Sequence, residues 1–314
     1  MSTQRRIFLF LFLAFGISWA IAGVGALVGV DTEHPAYVAL AASCMLGPAL
    51  AAIIQWKLIE RAPWSALALH PKLIRWRGLV ITIFIALCIV PLALLVARAG
   101  GEVFHVEAFG NVEVSGDRFS ASIQEILAER GVTNVSSATH QLAALPGVII
   151  LLVLAFSAVF AAFTVNLPFM LGEELGWRGF LFAATAHWAP AQRIALTGPV
   201  WGLWHAPLIL LGHNYPDHPY AGIVMMMVFC TVLAVLFDHA RLRSNSVWAP
   251  CVLHGIINGT AGAFALFSTG GHVLVGSPAG LTGVIAITLI ALAILLVDQD
   301  YRRTFFTTAN VPAS

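Results

Sequence analysis

Glu173 and Glu174 stand side by side with Arg178 four residues on, in Gly172-Glu173-Glu174-Leu175-Gly176-Trp177-Arg178-Gly179, directly after the apolar run Val148 to Met170. Two more polar clusters interrupt apolar runs, Trp201-Gly202-Leu203-Trp204-His205 and His254-Gly255-Ile256-Ile257-Asn258. Ionisable side chains at membrane depth cost roughly 2.5–3.5 kcal/mol each, so a cluster of them marks a functional site by default. Residues four apart share a helix face. Glu174 therefore lies beside Arg178, Trp201 beside His205, and His254 beside Asn258. Glu173 projects about 100° round from Glu174, so one carboxylate is neutralised by arginine and the other is free for chemistry.

Those residue types suit hydrolysis. A carboxylate taken out of water holds a proton more tightly, which fits a general base acting on water. An imidazole can orient that water or donate to a developing oxyanion, and an asparagine amide can donate too. Base, water, oxyanion donors and a water-poor cavity match peptide-bond cleavage. No serine or cysteine lies in the three motifs, so water attacks directly, without an acyl-enzyme. Glu173, His205 and His254 are also a common catalytic zinc set. With no HExxH motif, zinc as a cofactor depends wholly on tertiary convergence.

The ordered set EExxxR (Glu173, Glu174, Arg178), aromatic-xxx-His (Trp201, His205) and HxxxN (His254, Asn258) resembles the CAAX prenyl protease type II and bacteriocin-processing family. Its members are also called Abi or CPBP intramembrane proteases. The wording GEELGWRGFL, WGLWHAPL and LHGIINGT is similar to bacterial members, and the resemblance covers about residues 145–262. It implies that Glu173 activates water, Glu174 pairs with Arg178 and holds the helix, His205 positions the water, and His254 and Asn258 stabilise the oxyanion. The family's second motif usually begins with phenylalanine, where this chain has Trp201. The family long carried a metalloprotease label, yet its structural picture resembles a metal-independent glutamate protease. No cofactor is expected on that reading, and zinc is the alternative.

These motifs need elements to position them. Eight apolar segments are long enough to cross a bilayer as helices: 7–30, 37–56, 78–98, 146–170, 194–211, 221–237, 247–267 and 280–297. The expected fold is an all-α polytopic membrane protein with its catalytic core in the later helices. Residues 172–187 continue the fourth span as a bent helix, kinked by Pro168. The expected organisation is N-terminal spans with an outer loop (1–144, loop 100–144), a catalytic core (145–267), and a last span with its tail (268–314). The loop patterns as helix from Ser120 to Arg130 and reads as a small cap. The tail beyond Arg303 reads as frayed. Arg5 and Arg6 followed by Ala20-Ile21-Ala22 could mark a signal peptide, but the apolar stretch runs on to Val30, and a retained first span is expected.

Orientation follows the basic residues. With a cytoplasmic N-terminus, every Lys and Arg except Arg98, Arg118 and Arg130 falls on the inner side. Both termini are then cytoplasmic, in a bacterial inner membrane. By depth along their helices, His205 and His254 fall roughly 12–18 Å from the inner surface.

Composition bounds the rest. The 314 residues are 59% hydrophobic and 10% charged, against about 25% charged in a soluble domain, and mean hydropathy is +0.89. A net charge of +1 without a basic stripe excludes nucleic acid as a partner. The partners expected are the lipid bilayer and a membrane-associated peptide, prenylated or leader-like. Oligomeric state has no sequence signal. Cys44, Cys88, Cys230 and Cys251 read as buried apolar side chains. His213, Asp217 and His218 read as solvated loop residues, and Asp238 and His239 as a cytoplasm-facing helix end. Asn166 is expected to bond between helices. Lys57 to Arg77 with Trp56, Trp64 and Trp76 reads as an interfacial anchor. A non-enzymatic reading, an immunity or transport scaffold with buried charges, stays open beside the protease.

Overall fold

The computed structural model describes residues 1–129, 131–132 and 136–307. Arg130 and the end of the tail from 308 lie outside the described residues. The chain is helical almost throughout: α1 (Thr3–Leu27), α2 (Tyr37–Ile53, extended as a π-helix Ile54–Ile59), α3 (Trp76–Arg98), α4 (Gly116–Glu129), α5 (Gly147–Phe163), α6 (Leu167–Glu174), α7 (Pro190–Trp204), α8 (Pro219–Ser244), α9 (Trp248–Phe267) and α10 (Leu281–Val297). Short helices fill several of the connections. The described strands are β1 (Asn111–Val112) and β2 (Ser268–Thr269), paired antiparallel.

Among the described residues, six helices are long and apolar enough to cross a membrane, or seven if the bent pair Gly147–Phe163 and Leu167–Ala184 is one span. That corrects the expected eight. The missing one is 194–211, which is not a single long helix. Pro207 has no N–H to continue the ladder, so α7 stops at Trp204 and a separate short helix, Ala206–Leu210, restarts beyond His205. The stop sets His205 at a helix terminus.

The expected fourth span also breaks. Its two halves meet at 64°, at Thr164 to Asn166 and not at Pro168 itself. A proline ring collides with the carbonyl four residues back, which here is Thr164. Pro168 then sits in the first turn of α6, where its missing donor costs nothing. Asn166 ties the break to α9, its Nδ2 donating to the Gly255 carbonyl at 3.1 Å.

Two pairs of glycines seat the site helices. A Cβ on Gly172 or Gly176 would strike the backbone of Met45 or Pro48, so α6 and the turn after it run along α2 in the same direction. Gly198 and Gly202 back onto Thr231 and Met227, so α7 and α8 lie antiparallel with their backbones touching. The main core, with Phe10, Trp56, Trp177, Phe180, Trp201 and Phe237 among its largest members, fills the space between these elements. A second, smaller core under the cap packs Phe119 against Phe264 and Phe267.

Asp238 and His239 do not face solvent as expected. Both are buried: Asp238 pairs with Arg193 at 2.7 Å and accepts from Tyr301 at 3.1 Å, and His239 bonds Asp298 at 3.0 Å. Trp56 is likewise buried, donating to the Pro63 carbonyl at 2.8 Å, while Trp64 and Trp76 remain exposed. Cys44, Cys230 and Cys251 are buried, Cys88 is half-buried, and all four are free thiols.

Candidate active site

The π-helix Leu175–Leu181 follows α6 without interruption. Such widened turns concentrate at functional sites. Glu173 and Glu174, at the end of α6, are both buried, and each finds its own partners.

Glu174 is the structural carboxylate. Both its oxygens accept from Arg178 Nη1 at 3.1 Å, and its Oε1 lies 2.9 Å from His254 Nδ1. The guanidinium is held between aromatic faces, 4.2 Å from the Trp201 ring and 4.0 Å from the Phe237 ring. A buried charge needs this much company, since an unpaired one costs several kcal/mol. Phe237 carried no polar signal in the sequence, and only packing identifies its part.

Glu173 turns the other way. Its Oε2 accepts from the Trp201 indole N–H at 2.9 Å, leaving Oε1 for other work. Trp201 therefore does more than line a wall. The family's usual phenylalanine at this position has no N–H and could not make that bond.

The two histidines are fixed through the same ring nitrogen. His205 Nδ1 lies 2.8 Å from the Trp201 carbonyl. A carbonyl only accepts, so Nδ1 carries the proton and neutral His205 keeps a lone pair on Nε2. His254 likewise donates from Nδ1 to the Glu174 carboxylate, leaving Nε2 for the proton that would make it a donor. Asn258 Nδ2 makes one weak contact, 3.7 Å from Met170 Sδ, and is available to a better acceptor.

Glu173, His205, His254 and Asn258 all line one cavity of about 170 Å³, walled by Trp201, Trp204, Met226 and Leu233 among others. Glu174 and Arg178 stand behind it. His213 and Asn214 also line it, which corrects the reading of His213 as a solvated loop residue; burial pushes its imidazole below the ordinary histidine range. A histidine in a polar loop looks the same in sequence whether the loop folds inward or not. Asp217 and His218 stay exposed.

Among the described residues, no three His, Cys, Asp or Glu side chains are grouped so as to hold a metal ion. Glu173, His205 and His254 share a cavity but are not gathered as zinc ligands.

In this polytopic helical membrane protein two buried carboxylates, two imidazoles and an amide are thus set around or directly behind one cavity. Residues 147–260 match the family model described as type II CAAX prenyl endopeptidase Rce1-like. The matched segment contains all three motifs. A search of the curated proteins finds no match.

Proposed function

We infer that this chain cleaves a peptide bond in a membrane-associated polypeptide with water activated by Glu173. Glu173 Oε1 takes a proton from water while Trp201 holds Oε2. His205 Nε2 accepts the water's other hydrogen and aims its oxygen at the scissile carbonyl. The water oxygen bonds to carbon, and the carbonyl oxygen, now negative, receives hydrogen bonds from Asn258 Nδ2 and from protonated His254 Nε2. The C–N bond then breaks, and the proton collected by Glu173 passes to the departing amine. Glu174 and Arg178 touch no reacting atom in this scheme; they position His254.

The observation that carries this reading is the single cavity on which Glu173, His205, His254 and Asn258 converge from three separate helical segments. The test compares membrane peptides from cells carrying the native chain and Glu173→Gln. Peptides present only with the native chain are expected, and identical peptide sets would end the proteolytic reading in favour of a non-enzymatic scaffold. Chelator treatment of the purified protein separates the two enzymatic schemes. Cleavage is expected to persist, whereas loss with recovery on adding Zn²⁺ would favour the zinc scheme.

A further inference from the structure

Away from the candidate active site, α3, α8 and α10 enclose a groove of about 410 Å³. Its walls include Ile81, Phe84 and Cys88 of α3 and Ile290, Ala293 and Val297 of α10. Ile81, Phe84 and Val297 are exposed, so the groove opens outward from the bundle, onto the lipid that these spans cross. From Ile81 to Cys88, at 1.5 Å per residue, it runs about 10 Å along α3. Close packing, not exclusion of water, holds an occupant against apolar walls that face hydrocarbon.

One end of the groove is polar. His239 and Arg243 of α8 line it together with Asp298, just past α10, and Asp298 bonds both of them. The start of α3 lies at the same end. Arg75 N donates to the Ser244 carbonyl at 2.8 Å, and a Cβ on Gly78 would strike the backbone of Arg243. Exposed Arg75 and Arg77 therefore stand beside Arg243, and exposed Arg302 and Arg303 follow Asp298 in the short helix Gln299–Thr304. Among the described residues none of these four arginines is in an ion pair. The exposed carboxylate on the same segments, Asp300, leaves positive charge in excess. Trp76, exposed between Arg75 and Arg77, is of the residue type that sits at headgroup level.

We propose that this groove binds an anionic phospholipid. One acyl chain lies between α3 and α10, and the phosphate meets Arg75, Arg77, Arg302 and Arg303. A basic patch that ends an apolar groove between membrane helices suits such a headgroup. A zwitterionic lipid fills the walls equally well but gains little from the arginines, so the headgroup decides the occupant. The lipid also bears on the helix behind the candidate active site. His239 follows directly on Phe237 and Asp238, which hold Arg178 and Arg193, so an occupied groove steadies that stretch of α8.

The test is native mass spectrometry of the full chain in detergent, titrated with dioleoyl phosphatidylglycerol or with dioleoyl phosphatidylcholine, whose acyl chains are identical. Each basic residue beside an anionic headgroup contributes about fivefold in affinity, so phosphatidylglycerol is expected to bind tighter by about fivefold or more. Arg75→Gln, Arg77→Gln, Arg302→Gln and Arg303→Gln combined should remove that preference, and all four side chains are exposed, so helical content should not change. Ala293→Trp, at the exposed rim of the groove, should abolish saturable binding of phosphatidylglycerol. Val153→Trp, on the exposed surface of α5, should leave it intact. Equal binding of the two lipids by the native chain overturns the proposal. So does a preference for phosphatidylglycerol that survives the four glutamines, saturable binding that survives Ala293→Trp, or an equal loss with Val153→Trp. The measurement needs no substrate, so it stands or falls apart from the proteolytic reading.

Discussion

At the scale of single residues, the two adjacent glutamates are separated by what surrounds them. Glu174 serves Arg178 and His254, and Glu173 faces the cavity with one oxygen held by Trp201. Hydrogen bonds to charged groups contribute about 1.5–3 kcal/mol. Trp201→Phe is therefore expected to slow cleavage roughly tenfold to a hundredfold while the purified protein keeps its helical content and elution volume. An unchanged rate would mean that the indole N–H does not position the base. Arg178→Ala should act on the fold instead. It leaves the Glu174 carboxylate in the core without its arginine, at a cost of about 3–5 kcal/mol, and thermal unfolding in detergent should register it whether or not any substrate is known. The sequence exposed the i, i+4 pairing of Glu174 with Arg178. It could not expose Phe237 or His213, because neither an apolar residue in an apolar helix nor a histidine in a polar loop stands out from its neighbours.

At the scale of elements, breaks matter more than spans. The 64° bend before α6 turns the carboxylates inward, and the stop at Trp204 puts His205 at a helix end. Both follow from proline chemistry, and Pro168 revealed the first in the sequence while Pro207 decided the second. Close helix contact then fixes the distance between the walls. Gly202→Val would drive two methyl groups into the α8 backbone at Met227, and overpacking of that kind costs about 1–3 kcal/mol. A lowered unfolding temperature is expected, together with reduced cleavage because His205 moves with α7. Native-like unfolding of that variant would show that α7 and α8 do not depend on this contact.

At the scale of the whole molecule, charge ties the end of α10 to the end of α8. Asp298, just past α10, bonds Arg243 and His239 of α8 and the backbone of Tyr301. Partial burial pushes its carboxyl up, but Arg243, the Tyr301 amide and His239 outweigh that and bring it down to about 2. A carboxyl depressed on folding contributes stability above its unfolded value, near 3.9, and loses it as pH falls towards 2. The pair is partly solvated, so the contribution is no more than about 1 kcal/mol. Asp298→Asn should lower the unfolding temperature slightly at neutral pH, and the gap from the native chain should shrink below about pH 4; a gap that widens with acid would refute the pairing.

Composition and apolar run length were enough to specify a helical membrane protein, because a backbone in lipid must satisfy its own hydrogen bonds within helices. Three spaced polar motifs were enough to name the candidate side chains, because burying each in an apolar run carries a cost that only a function or a partner offsets. What the chain alone left open was decided by packing between segments far apart in sequence: which glutamate meets Trp201, that His254 leans on Glu174, and that His213 reaches the cavity wall. Those outcomes depend on how helices cross and where they stop, and such geometry arises only when one element's surface meets another's.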